Sequence, residues 1–292
     1  MSSSSAAVVA SSAPVDPVAA AGTLLAHSCE GPEHGPVVLL LHGITGSRFY
    51  WENLAQALQV DHRVVRVDLL GFGESPKPTG RYDLGAHARA VRELMEHLGL
   101  TERPIAVIAH SLGALITLEA SVRWPGWIER ALLVSLPCHD TQEEAHRDFV
   151  FGSPNYRRLI GAHSLGANLK SWWAAGPRMA LRYLFAFSPR IAADSKSWTL
   201  RSLTSTIEHC LLQHRVQDRL AELRDRPVEH QPELLLLHGR WDQVVPPDPA
   251  MRLSEQLPRC EGRVIEGTGH HPFRTHFRAC HEQTRKFLAG AR

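Results

Sequence analysis

The chain carries one serine in a setting that suits covalent chemistry. The run Ile105-Ala-Val-Ile-Ala-His-Ser-Leu-Gly-Ala-Leu-Ile is apolar before Ala109-His110-Ser111-Leu112-Gly113 and reads as a helix after it. Small residues stand two before and two after Ser111, which a tight strand-to-helix turn requires. The N-terminal N–H groups of the following helix would face developing negative charge. A small-x-Ser-x-Gly string alone is common. The buried strand before it and the helix after it are what make it specific, and they point to nucleophilic attack by Ser111.

The same six letters occur twice. Ala162-His163-Ser164-Leu165-Gly166-Ala167 repeats Ala109–Ala114, but Tyr156-Arg-Arg-Leu-Ile-Gly precedes it. That is no buried strand, so Ser164 is expected to open a loop or helix and not to act as a nucleophile.

A serine hydroxyl is a poor nucleophile at neutral pH and needs a base, itself oriented by a third group. On a strand–turn–helix serine the partners follow in the order acid, then histidine. Leu235-Leu-Leu-His-Gly-Arg-Trp-Asp places Asp242 just after one buried run, and Glu266-Gly-Thr-Gly-His-His-Pro places His270 just after the next. Asp140, after the run Ala131–Leu136, is the rival acid. Asp248 reads as a surface residue, His42 as a loop organiser, and His271 as the neighbour of the base.

These residues need a scaffold. Val37–Leu41, Arg63–Asp68, Pro104–His110, Ala131–Leu136, Leu234–His238 and Arg263–Glu266 read as buried parallel strands. Helix-length segments lie between several of them, clearest at Leu84–Leu98, with Asp83 placed to cap it and Gly99 to end it. The alternation predicts an α/β fold, a mostly parallel sheet flanked by helices. Its rhythm fails between Leu136 and Leu234. Residues 138–232 are therefore expected to form a helical cap over the carboxyl ends of the strands, with 23–137 and 233–292 as the core. Residues 1–22, rich in Ser, Ala, Val and Pro and free of Lys and Arg, read as a disordered tail without a secretory leader.

Composition narrows the function classes. The 292 residues carry 32 Lys+Arg against 30 Asp+Glu, a net +2, which leaves no footprint for nucleic acid or an anionic membrane. No 18-residue apolar run predicts a membrane span. Five scattered cysteines without C-x-x-C fit reduced thiols and a cytoplasmic setting. Eighteen histidines invite a metal, yet no zinc spacing occurs, and Gly71-Phe-Gly73 lacks the spacing of a dinucleotide fingerprint. Neither metal nor organic cofactor is expected. The expected partner is a small molecule, with the chain a monomer or homodimer.

Together the motifs carry a resemblance. His42-Gly43-Ile44-Thr45-Gly46-Ser47, Asp68-Leu-Leu-Gly71-Phe-Gly73-Glu-Ser75, Ala109–Gly113, Gly239-Arg-Trp-Asp242 and Gly267-Thr-Gly-His270 occur in the order found in the α/β-hydrolase superfamily. The chain resembles its serine branch with a helical cap after the sixth strand. The resemblance spans residues 37–286 and implies Ser111 as nucleophile, His270 as general base then acid, and Asp242 as its orienting carboxylate. It further implies an oxyanion hole from the N–H groups of Ile44 and Leu112. Phe151, Trp172, Trp173 and Tyr183 in the cap are the candidate substrate contacts, suited to a medium-sized, partly hydrophobic compound. The expected reaction is hydrolysis of an ester, thioester or lactone through an acyl-enzyme. Carbon–carbon bond hydrolysis, acyl transfer and macrocyclisation use the same triad, and the fold also hosts lyases, cofactor-free oxygenases or haloperoxidases, and small-molecule receptors.

Overall fold

The computed structural model describes residues 24–139, 141, 143–144, 197–213 and 216–290. Seven strands form one sheet: β1 His27–Glu30, β2 Val37–Leu41, β3 Arg63–Val67, β4 Ile105–His110, β5 Ile128–Val134, β6 Glu233–Gly239 and β7 Cys260–Ile265. Their order across the sheet is β1-β3-β2-β4-β5-β6-β7. Only β1 runs antiparallel, pairing His27 with Val67 and Glu30 with Val64. The helices are α1 Glu52–Leu58, α2 Leu84–His97, α3 Leu112–Arg123, α4 Leu200–Thr206, α5 Val216–Arg224, α6 Pro247–Ser254, α7 Pro272–Thr275 and α8 Phe277–Leu288.

The chain leaves β2 toward β3 on one side and returns to place β4 on the other. The loops after β2 and β4 therefore diverge and open a crevice at the carboxyl edge, where open α/β sheets bind ligands. Residues 140–196 follow β5 and contain most of the expected cap. Phe151, Ser164, Trp172, Trp173 and Tyr183 lie outside the described residues, as does Asp140.

Successive strand residues point to opposite faces, so two cores form. One face buries Leu39, Leu41, Val65, Val107, Ala109, Leu133 and Leu236 beneath α2 and α3. The other buries Val38, Leu40, Val64, Ile108, Leu132 and Leu237 against Trp51, Leu54, Cys280 and Phe287 from the segments around α1 and α8. Because both faces are covered, the central strands are apolar at nearly every position, which is why they are visible as continuous runs.

The described part of 138–232 is not a detached layer. Leu203, Ile207, Cys210, Leu211, Val216, Leu220 and Leu223 join the first core. Two arginines hold Glu119 of α3: Arg123 Nε lies 2.6 Å from one carboxylate oxygen and Arg219 Nε of α5 lies 2.8 Å from the other. The carboxylate is almost fully buried while both arginines keep part of their surface in water, so the pair ties α5 to α3 without stranding a cation. Between α4 and α5, Ile207–Leu212 continues α4 as a π-helix. Ser202 Oγ donates to the Gly71 carbonyl at 3.0 Å, and Tyr82 N–H donates to Ser205 Oγ at 3.1 Å. These bonds fasten α4 to the loop that follows β3.

Helix α2 shows how local signals set its limits. Asp83 has extended backbone angles, and its side chain accepts from Ala86 N–H at 2.8 Å. Gly99, just past the end, has φ +67°, a value a side chain would resist. Replacing Asp83 by Ala strands that donor and is expected to lower the unfolding free energy by about 1 kcal/mol. Urea unfolding of wild type and Asp83→Ala measures it, and an unchanged midpoint would assign the start of α2 to packing alone.

Candidate active site

The serine turn is built by two close approaches. Ser111 N–H donates to the Val134 carbonyl at 2.8 Å, so the ladder between β4 and β5 continues up to Ser111 itself. The backbone then reverses: Ser111 has φ +51° and ψ −111°, and its carbonyl accepts from Ala114 N–H at 2.9 Å to start α3. Ser111 occupies the N-cap position without a side-chain capping bond, so its hydroxyl is not consumed in closing the helix. A Cβ at Gly113 would lie 2.7 Å from the Leu41 carbonyl oxygen and 2.8 Å from that of His42. The start of α3 sits directly on the end of β2, and only glycine fits there.

Three non-glycine residues in the described chain have positive φ: Thr45, Ser111 and Ser135. They follow β2, β4 and β5, adjacent strands whose carboxyl ends border the crevice. Strained backbone of this kind persists where the surroundings over-determine it, and it gathers at functional sites.

The loop after β2 is held by His42. Its Nε2 lies 2.9 Å from Leu69 N, a main-chain donor, so Nε2 accepts and the proton is on Nδ1. Nδ1–H donates to the Gly43 carbonyl at 2.7 Å. Burial lowers the His42 pKa, which agrees with a neutral ring. His42 thus organises the loop that carries Ile44. Below it, Asp68 is buried and accepts from Arg48 N–H at 2.6 Å, Arg48 Nη1 at 2.5 Å and Glu74 N–H at 2.9 Å. Ser75 Oγ donates to the Asp68 carbonyl at 2.5 Å. The Asp68–Ser75 segment builds a structural turn. Among the described residues, no turn or loop bond to the main chain engages Ile44 N–H. The N–H of Leu112, first in α3, has no intrahelical acceptor by position.

Asp242 and His270 are brought together from β6 and β7. Asp242 Oδ2 lies 2.8 Å from His270 Nδ1, while Oδ1 accepts from Val244 and Val245 N–H, each at 2.9 Å. Burial pushes the Asp242 carboxyl up, but the His270 ring, its hydrogen bond and Val245 N–H together hold it below its ordinary value. The acid and histidine loops are zipped to each other: Arg240 N–H donates to the Ile265 carbonyl at 3.0 Å and Trp241 N–H to that of Thr268 at 2.9 Å. A side chain at Gly239 would run into the carbonyls of Thr268 and Gly269. Among the described residues, Ser111 Oγ and His270 Nε2 are not hydrogen-bonded, a spacing that commonly tightens only when substrate is bound. His271 is half-buried beside His270, with ring centroids 5.0 Å apart. Asp248 is exposed in the first turn of α6.

Three polar residues at the carboxyl edge escape the sequence reading. His110 Nε2 donates to the His270 carbonyl at 2.8 Å, and Ser135 Oγ donates to it at 3.2 Å. His238 Nε2 accepts from Leu136 N–H at 3.1 Å. His110 and His238 close apolar strands, and a polar residue at the end of such a run is the one signal the sequence offers.

Residues 36–277 match the family described as the α/β hydrolase fold. The chain belongs to that family. An uncharacterized protein of Mycobacterium tuberculosis is 25% identical over 268 residues, covering 82% of this chain and 71% of its own length. Probable lysophospholipase BODYGUARD 3 of Arabidopsis thaliana is 25% identical over 260 residues, 80% of this chain and 51% of that protein. A thermophilic esterase from Thermogutta terrifontis shares the fold at TM-score 0.70 and 21% identity, over 91% of this chain and 93% of that one. The chain is thus an α/β-hydrolase-fold protein. No helix among its described residues is long and apolar enough to cross a membrane. Nor do those residues contain a group of three or more His, Cys, Asp or Glu that could hold a metal ion.

The site and its surroundings bury several neutral imidazoles, with a consequence for stability. Burial lowers His87 and His238 from 6.5 to about 4 and His271 to about 3. Between those values and 6.5 the unfolded chain binds more protons than the folded one, so stability rises with pH across that window and is lost on acidification. Urea midpoints are expected to fall steadily from pH 6.5 to pH 4. Each such histidine contributes a slope of about 1.4 kcal/mol per pH unit at most. His87→Gln is expected to flatten that dependence, and a slope equal to wild type would remove His87 from the account.

Proposed function

We propose that the chain is a serine hydrolase that cleaves an ester, thioester or lactone of a medium-sized, partly hydrophobic compound through an acyl-enzyme. The observation that carries this reading is the 2.8 Å bond between His270 Nδ1 and Asp242 Oδ2, at the same sheet edge as a serine with φ +51°. Asp242 holds the imidazole with Nδ1 protonated, which leaves Nε2 free to take the Ser111 proton as Oγ attacks the acyl carbon. The N–H groups of Ile44 and Leu112 receive the oxyanion, and each such donor contributes about 10²–10³ in rate. His270 then returns the proton to the leaving group, and water, activated by the same imidazole, releases the acid. In this reading residues 138–232 cover the crevice, and Phe151, Trp172, Trp173 and Tyr183 contact the substrate. The names of BODYGUARD 3 and the Thermogutta esterase agree with ester chemistry in the family.

Intact-mass detection of a fluorophosphonate adduct tests the assignment. One adduct is expected on wild type and Ser164→Ala, and none on Ser111→Ala. Labelling lost only in Ser164→Ala would overturn the choice of serine. Asp242→Asn is expected to lower kcat on a p-nitrophenyl ester by about 10³–10⁴-fold, the scale found when a triad loses the carboxylate that sets the tautomer. A loss under tenfold would move the acid role elsewhere.

A further inference from the structure

One imidazole outside the proposed triad touches the serine turn, the His270 loop and the loop after β2 that carries Ile44. His110 is joined by a peptide bond to Ser111. Its Nε2–H donates to the main-chain carbonyl of His270 at 2.8 Å. On its other edge a Cβ at Gly43 would lie 2.6 Å from His110 Nδ1, so the loop carrying Ile44 packs against the ring.

The ring has no freedom to leave this position. It is 2% exposed and stacks on Tyr50, with centroids 4.9 Å apart and planes at 24°. The rings of His270 and His271 close on it at 4.8 and 5.0 Å. A carbonyl only accepts, so the proton must sit on Nε2, and Nδ1 finds no partner among the described residues. Burial, followed by the neighbouring His270 and His271 rings, keeps His110 neutral by lowering its pKa well below 6.5. A second donor meets the same oxygen: Ser135 Oγ at 3.2 Å, from a residue with φ +50°.

We infer that His110, with Ser135, positions the proposed base by anchoring the His270 carbonyl to the serine turn. The inference rests on the triad reading above. His110 exchanges no proton in the reaction; it is a fixed donor. The base must first face Ser111 Oγ and then the leaving group. A displacement of about 1 Å in such a group costs about 10²-fold. The Asp242 bond fixes the imidazole at Nδ1, and the two donors on the carbonyl fix the other end of the residue. A pure packing role would need only a flat ring. A positioning role needs the N–H.

Those two roles separate in a set of variants assayed for hydrolysis of p-nitrophenyl butyrate and for the rate of fluorophosphonate labelling. His110→Phe keeps a ring for Tyr50 to stack on and removes the donor. It is expected to lower kcat and the labelling rate by about 10–100-fold, the range seen when groups behind a functional histidine are removed, with KM within about twofold. His110→Gln restores an N–H and is expected to recover most of the loss. Ser135→Ala is expected to lower kcat by less, and the double variant to be non-additive because both groups serve one oxygen. Wild-type kcat in His110→Phe, or equal losses in the Phe and Gln variants, would make the ring a filler and overturn the proposal. Should His110→Phe fail to fold, an unchanged kcat in Ser135→Ala overturns the anchoring of the carbonyl. Absence of labelling on wild type would sink the triad reading and this proposal with it. Labelling that is lost in Ser111→Ala but normal in His110→Phe would sink only this one.

Discussion

The contact on which the rest depends is the seating of α3 on the end of β2. Gly113 lies so near the Leu41 and His42 carbonyls that no side chain fits between them. That approach forces the chain to turn within one residue of β4, which is why Ser111 takes the strained angles it does. The strain persists because the ladder to Val134 holds the entry and the first turn of α3 holds the exit. The same approach brings the loop after β2 within reach of the serine, since His42 and Gly43 continue directly from the strand that α3 touches. Strand order then does the rest. The reversal between β2 and β4 keeps the space above this turn open, and β6 and β7 deliver Asp242 and His270 to the same edge.

Around this turn, neutral imidazoles serve as main-chain clamps. His42 bridges Leu69 N–H to the Gly43 carbonyl, His238 accepts from Leu136 N–H, and His110 donates to the His270 carbonyl. Each joins segments that leave different strands. A ring with one donor and one acceptor suits this task, because loops at a strand edge present unpaired groups of both kinds. Burial keeps these rings uncharged. Their geometry therefore does not alter with proton uptake near neutral pH. His270, whose side chain keeps 13% of its surface open, stands at the boundary between this buried set and the crevice.

How much of this is legible in the sequence depends on the range of the interaction. The central strands announce themselves because burial on both faces leaves few polar residues to interrupt them. Asp83 and Gly99 announce α2 because capping is local. The edge strands do not. β1 is four half-buried or exposed residues whose pairing to β3 lies in no local pattern. β7 starts at Cys260, three residues before the apolar signal, since Glu261 and Gly262 join it only through β6. β5 is displaced the same way. It begins at Ile128, although Glu129 and Arg130 break the run, and ends at Val134 because Ser135 turns to φ +50°.

The candidate site divides along the same line. Ser111, Asp242 and His270 can be located because each lies just past a strand in a loop of characteristic spacing, and the fold brings strand ends together. The groups that hold these three in place are not readable so. His110 reaches the His270 carbonyl across 160 residues of chain, and Ser135 reaches it across 135. A histidine before the serine and a serine after β5 carry no signal until the two loops are in register. A spacing motif records which atoms react, because the local turn that presents them is encoded locally. The support behind them is encoded in pairs of distant positions, each unremarked alone, and it becomes visible only when β4, β5 and the loop after β7 share one edge.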